Sequence, residues 1–282
     1  MSHFIYNGKS FPAETAIIGP DNRGLRFGDG LFETIKFING ELIMPDEHFA
    51  RLWKGLQMLD FSIPKLFTPE KLEQEIKQLV KKNQHAAARV RLTVFRGNGG
   101  LYDAENNIPN YLIQTWALPA NNGKLNSNGL QLCIYHDAQK NCDKFSNLKH
   151  NNFLPYFMGA AYAKKEQCND ALILNNQQRI CESTIANLFI IRNGVVITPP
   201  LSEGCIAGTM RKAILTDLTD SPFDLVEAQI DEAMLRSAEE VFLSNSIYNI
   251  RWVAGLGEKQ FGNDSIKKIY MYLQQTNPGL YC

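Results

Sequence analysis

The 282-residue chain lacks a surplus of either charge: 29 Lys and Arg stand against 29 Asp and Glu, for a formal net charge of +0. A protein that grips nucleic acid by its phosphates carries a basic excess, so polyanion binding is disfavoured. No stretch approaches the roughly 18 to 20 apolar residues of a membrane span, and no basic segment followed by an apolar run opens the chain. The six cysteines (133, 142, 168, 181, 205 and 282) form no C-x-x-C pair and have no histidine at zinc-ligand spacing. That argues against a disulfide framework and a structural zinc site. Nucleotide cradles of the G-x-G-x-x-G and G-x-x-x-x-G-K-[ST] kinds are missing, as are the G-x-S-x-G elbow and H-E-x-x-H. The expectation is a reduced, soluble, cytoplasmic protein with no metal, nucleic-acid or membrane partner.

What is present is globular: 44% of residues are hydrophobic and 21% charged, which speaks against a disordered chain. The length suits one large domain or two modest ones. Alternation from Leu31 to Phe37, then Asn39-Gly40, predicts a hairpin with a type I′ turn. Asp46 is the expected cap of a helix whose stripe is Phe49, Leu52, Trp53, Leu56 and Leu59. Thr68-Pro69 opens a second, with Leu72, Ile76, Leu79 and Val80 inward. Strands are expected at 88–95 and 110–118. Residues 119–130, rich in Asn and Gly without an apolar period, read as a linker between a smaller domain (1–118) and a larger one (131–282). In the second, strands are expected at 130–136, 170–175 and 187–192, a hairpin at Asn193-Gly194, and helices near 155–167, 210–218 and from Ser265. Strands and helices mix without a βαβ rhythm or internal repeat, giving an α+β class in two domains.

Six segments carry potential chemistry: RFGDGLFET (26–34), HFARL (48–52), SNLKHNNFL (146–154), CESTIANLF (181–189), TPPLSEGCIAGTMR (198–211) and LSNSIYNI (243–250). In order and spacing they resemble the fold-type IV pyridoxal-phosphate enzymes, which include branched-chain and D-amino-acid aminotransferases and aminodeoxychorismate lyase. The resemblance implies a D-amino-acid-aminotransferase-like, two-domain α/β fold, pyridoxal 5′-phosphate in the cleft between domains, a homodimer, and a small amino-bearing carboxylate as substrate.

Such a cofactor needs a lysine for its Schiff base, an acid that keeps the ring nitrogen protonated, and a phosphate socket. The resemblance assigns the lysine to Lys149, in a loop where a lysine is ordinarily a solvated charge. Glu182 matches the ring-nitrogen carboxylate, and is otherwise an ordinary glutamate between two short strands. Gly208 and Thr209 stand at a helix start, where free N–H groups favour a dianion, although Gly-Thr is also a common cap. Arg51 matches a phosphate-binding arginine and lies off the apolar stripe, compatible with a cleft or a solvated face. Ser246 matches a second phosphate contact or is a turn serine. Arg91 and Arg96 are candidate substrate anchors, because a guanidinium binds carboxylate bidentately; surface arginines on an edge strand are the alternative. His48, His136 and His150 receive no role.

Departures within the family point to a subfamily. Phe32-Glu33-Thr34 replaces the F-E-G of branched-chain enzymes, and Leu154 stands where they carry tyrosine, five residues after the lysine. Phe32 also lacks the hydroxyl of the D-amino-acid enzymes' D-G-V-Y-E. Lys149-His150, Cys205, Gly208 to Arg211 and Asn245-Ser246 resemble the lyase members, which implies conversion of 4-amino-4-deoxychorismate to 4-aminobenzoate and pyruvate, a step of folate biosynthesis. Transamination of branched-chain or D-amino acids is the alternative.

Overall fold

The structure, a computed structural model, describes residues 2–119 and 122–281. The chain folds as two compact units: Met1–Asn122 with Leu148–Asn152, and Gly123–Asn147 with Phe153–Cys282. The change falls within the expected 119–130 linker, of which Ala120 and Asn121 lie outside the described residues, as does Cys282.

In the first unit the described strands are β1 (His3–Tyr6), β2 (Lys9–Pro12), β3 (Gly30–Ile38), β4 (Glu41–Leu42), β5 (Ala88–Phe95) and β6 (Asn110–Ala117). They form one antiparallel sheet in the order β2-β1-β6-β5-β3-β4. Alternation decides its faces. In β5, Ala88, Val90, Leu92 and Val94 are fully buried, while Arg89, Arg91 and Thr93 take the opposite face. Helices α1 (Arg23–Phe27), α2 (Pro45–Met58) and α3 (Pro69–Lys82) complete the unit. The stripes Phe49/Leu52/Leu56 and Leu72/Ile76/Leu79/Val80 are buried as their spacing requires, while Trp53 and Leu59 are only half-buried. Thr68 caps α3 by accepting from Lys71 N. Asp46 does not cap α2: the cap position is Met44, and Asp46 follows Pro45 in the first turn, where its charge suits the helix dipole. Asn39 and Gly40 both take positive φ, as the I′ turn demands.

The second unit holds a mixed sheet built from β7 (Leu130–Lys140), β8 (Asp170–Asn175), β9 (Ile180–Ser183), β10 (Asn187–Arg192), β11 (Val195–Thr198), β12 (Leu225–Glu227), β13 (Glu240–Asn245) and β14 (Asn249–Leu256). Their order is β12-β11-β10-β13-β14-β7-β8-β9, with β15 (Lys259–Gln260) paired to β14. The helices are α4 (Leu154–Lys165), α5 (Thr209–Leu218), α6 (Glu232–Ser237) and α7 (Asp264–Thr276). β7 runs four residues beyond the expected 136, because the pairing with β8 shifts between Tyr135 and Gln139 and then resumes. The main core gathers Leu172, Leu188, Ile190, Val241, Leu243 and Val253 from neighbouring strands of this sheet.

The segment that carries Lys149 groups with the first unit, not with the C-terminal part as expected from sequence. The cause is a short backbone ladder. β4 covers β3 only at Phe37 and Ile38, and residues 149–151 take the start of the strand: Phe32 N donates to Lys149 O (2.8 Å) and Asn151 N to Gly30 O (2.9 Å). Gly30 is required there, since a Cβ would lie 2.2 Å from Val94 O and 2.8 Å from Asn151 Nδ2. Gly30→Ala is expected to cost about 1 to 3 kcal/mol, in the range of overpacking changes, as a lower urea midpoint. An unchanged midpoint would contradict this account of the ladder.

Candidate active site

In the first unit Lys149 Nζ lies 4.5 Å from the centroid of the buried Phe32 ring, and Arg91 Cζ lies 3.8 Å from the same centroid. Register explains the grouping. Thr34 is opposite Arg91 and Phe32 opposite Thr93, so these side chains share one sheet face. Arg91 Nε donates to Thr93 Oγ1 at 3.2 Å, and among the described residues no carboxylate pairs with it. Burial, then the like charge of Arg89, holds its pKa below the ordinary arginine value. A half-buried cation without a counter-ion is a ready receptor for a carboxylate.

The opposite face of β3 carries Glu33, 1% exposed, which accepts from Arg51 Nε (2.8 Å) and Nη2 (2.6 Å) and is bonded to His48 Nδ1 (2.6 Å). Arg51 therefore does not lie on a solvated helix face: the fork grips Glu33 and fixes the guanidinium plane. Burial would raise the Glu33 pKa, but the charge of Arg51 and the contact with His48 bring it down to about 2. Burial lowers the His48 pKa against the pull of Glu33, so the ring stays neutral at pH 7 and donates from Nδ1. The charge of Lys149 also reaches His48.

Arg96 does not stand as an anchor. Its Nη1 donates to Asp29 Oδ1 (2.6 Å), its Nη2 to Leu59 O, its Nε to Asn107 Oδ1 (3.1 Å), and its plane stacks on Phe61. Asp29 is held from the other side by Arg23 Nε (2.9 Å). A guanidinium so engaged braces loops; of the two arginines only Arg91 keeps the features of an anchor.

In the second unit Glu182 is not between strands but inside β9, buried along its whole length. Its Oε1 accepts from Lys140 Nζ and Tyr156 OH, both at 2.6 Å, and its Oε2 from Ile206 N at 3.0 Å. Neither Lys140 nor Tyr156 is marked by a motif in the sequence. The loop from Ile206 leads to α5, where Gly208 is the cap residue and no side chain caps the helix. A Cβ on Gly208 would lie 2.0 Å from Asn187 Oδ1, and Asn187 Nδ2 donates to Ile206 O (2.9 Å). Asn187 pairs with Ser244 across β10 and β13, which brings the turn holding Ser246 to the same end of the sheet as Thr209. Asn245 Oδ1 shapes that turn by accepting from Ile247 N and Tyr248 N.

Each unit, taken by itself, offers donor types that pyridoxal phosphate requires. A buried carboxylate with one lightly used oxygen suits a ring nitrogen, an uncapped helix start beside a serine turn suits a phosphate, and a lysine beside an aromatic ring suits the aldehyde carbon. In the first unit Lys149, Phe32 and Arg91 are brought together, while Arg51 lies with Glu33 and His48 on the other face of β3; in the second, Glu182 is tied to the loop before Gly208 and Thr209, with the Ser246 turn at the same end of the sheet. Among the described residues no group of His, Cys, Asp and Glu could hold a metal, and the described cysteines are unpaired by disulfide.

The Glu33 arrangement has a pH signature. A folded pKa of about 2 against an ordinary 4.5 means that the ionised carboxylate stabilises the fold above the ordinary range, and that this is lost as pH falls toward 2. The shift corresponds to about 3 kcal/mol. Glu33→Gln is therefore expected to lower Tm at pH 7 and to flatten its fall between pH 4.5 and 2. Parallel wild-type and variant curves would contradict the assignment.

The chain matches the family described as "Amino-transferase class IV" over residues 30–278. It is 27% identical over 237 residues to the aminodeoxychorismate lyase of Vibrio harveyi, covering 83% of this chain and 86% of that one. It is 24% identical over 261 residues to the D-alanine aminotransferase of Bacillus licheniformis, covering 92% and 90%. The branched-chain amino acid aminotransferase of Escherichia coli has the same fold, with a TM-score of 0.86 at 22% identity over 99% of this chain and 94% of that one. The chain belongs to the class IV aminotransferase family, and is thus a pyridoxal-phosphate-dependent enzyme of fold type IV.

Proposed function

We propose that the enzyme is an aminodeoxychorismate lyase, releasing 4-aminobenzoate and pyruvate from 4-amino-4-deoxychorismate. The observation that carries the reading is the Phe32 ring set 4.5 Å from Lys149 Nζ and beside Arg91. A flat, hydroxyl-free wall at the lysine suits a six-membered carbon ring that becomes aromatic as it leaves, and the arginine suits one of the substrate's two carboxylates. Leu154, exposed at the start of α4, offers no phenol where the branched-chain enzymes place one.

When bound, the cofactor supplies an electron-poor ring that accepts the pair left by a broken C–H bond. Lys149 holds the cofactor and, once displaced by the substrate amine, takes the proton from the amine-bearing ring carbon. In the second unit Glu182 is the proposed partner of the ring-nitrogen proton and the donors at Gly208, Thr209 and Ser246 are the proposed phosphate socket; in the first unit Arg91 is the proposed partner of the substrate carboxylate, and Arg51 matches the family's phosphate arginine. The ring C–O bond to the side chain breaks as the ring becomes aromatic, and the enolpyruvate that leaves takes a proton at its methylene carbon to become pyruvate. The same proposal includes a homodimer acting in the cytoplasm. A second reading, transamination of D- or branched-chain amino acids, draws on the aminotransferases among the relatives and shares the proton abstraction.

Product analysis separates the two. Aminodeoxychorismate is expected to give equal amounts of 4-aminobenzoate and pyruvate, with little glutamate formed from amino acid plus 2-oxoglutarate; the reverse pattern would overturn the lyase reading. Lys149→Ala is expected to cost several orders of magnitude in turnover, and near wild-type turnover would remove Lys149 from the chemistry. Arg91→Met is expected to lower kcat/KM roughly tenfold to hundredfold, the loss of one charge-assisted hydrogen bond. An unaltered kcat/KM would leave Arg91 as a packing residue on Phe32 with no part in substrate binding.

A further inference from the structure

The two oxygens of Glu182 are used unequally. Oε1 carries two strong donors, the Lys140 ammonium and the Tyr156 hydroxyl, each at 2.6 Å, whereas among the described residues Oε2 receives only the Ile206 amide at 3.0 Å. Both donors are buried and come from distant parts of the chain. Lys140 reaches Glu182 because the irregular stretch of β7 between Tyr135 and Gln139 resets the pairing, so that Lys140 lies opposite Asn175 at the end of β8. Tyr156 comes from the first turn of α4, its ring stacked on Phe153 at 4.4 Å and 5.2 Å from Lys140 Nζ.

We propose that Lys140 and Tyr156 are positioning residues that occupy Oε1, leave Oε2 as the acceptor for the cofactor's ring-nitrogen proton, and weaken the hold on that proton. This rests on reading Glu182 as the ring-nitrogen partner. A bare buried carboxylate would keep a proton on itself or on the ring nitrogen up to high pH. A buried ammonium against the same carboxylate offsets its charge, so the proton is released more readily. The tyrosine adds a neutral donor: burial and then the Glu182 charge raise its pKa well above the ordinary value, so it stays protonated. The remaining titratable neighbours do not compete. Cys181 and Cys205 are pushed up by burial, Cys205 to about 12, and are uncharged near neutrality, while Arg211 is engaged by Pro199 O and Glu227. The Ile206 amide also ties Oε2 to the loop that opens α5, so the acid and the helix start share one hydrogen bond.

The test is the pH titration of the ring nitrogen, read by 15N NMR on holoenzyme loaded with 15N-labelled pyridoxal phosphate, a readout independent of turnover. Lys140→Met is expected to move the midpoint up by about one unit or more, Lys140→Arg to restore it, and Tyr156→Phe to move it up by a smaller, measurable step. An unchanged midpoint in folded, cofactor-bound Lys140→Met would overturn the proposal. Should that variant not fold, an unchanged midpoint in Tyr156→Phe would do the same. Glu182→Gln separates the two readings: if it leaves the ring nitrogen untouched, the assignment of Glu182 itself fails, whereas a shift there with none in the Lys140 and Tyr156 variants rejects only their role.

Discussion

A carboxylate taken out of water must be met by donors, and in each unit that constraint organises the candidate site. Glu33 would be intolerable in the interior beneath β3 without Arg51 and His48, and meeting it fixes the arginine's plane. Glu182 would be equally costly in β9 without Lys140, Tyr156 and the Ile206 amide, and meeting it fixes the loop before α5. The ion pairs act as orienting devices, and at Glu33, whose pKa falls to about 2 despite burial, the attraction also outweighs the desolvation.

Backbone geometry does the rest. The Lys149 segment is an added piece of strand against Gly30–Phe32, so the lysine is set by sheet hydrogen bonds rather than by a free loop. Arg91 and Phe32 follow from the β3–β5 register, which places them on one face. Gly208 is fixed by the close approach of Asn187, whose own place is set by the β10–β13 pairing. Sites built on sheet ladders and a helix start are held more narrowly than sites on loops.

Local signals are legible in the sequence where the cause is local. Asn39-Gly40, the Thr68 cap, the α3 stripe and the Phe49, Leu52 and Leu56 positions of the α2 stripe depend on residues a few positions apart, and they stand as expected. Asn7-Gly8, with φ of 48° and 79°, carries the same hairpin signal for β1 and β2, a pairing absent from the expected strands. What local sequence cannot convey is long-range pairing. Arg96 is a fair anchor by residue type, yet Asp29, 67 positions away, already holds it. Lys140 and Tyr156 lie 42 and 26 positions from Glu182, and nothing in their neighbourhoods marks them as its partners. The family motifs nominate Lys149, Glu182 and Arg51, positions that periodicity could not single out, because motif order carries long-range information that periodicity lacks.

The central proposal is that Lys149, and no other buried or half-buried lysine, carries the cofactor. Borohydride reduction of the loaded enzyme makes the link between the cofactor's aldehyde carbon and its lysine permanent, and peptide mass mapping then locates it. The account predicts pyridoxyl modification on the peptide containing Lys149 alone; modification at Lys140 or Lys36, with Lys149 unlabelled, would contradict it.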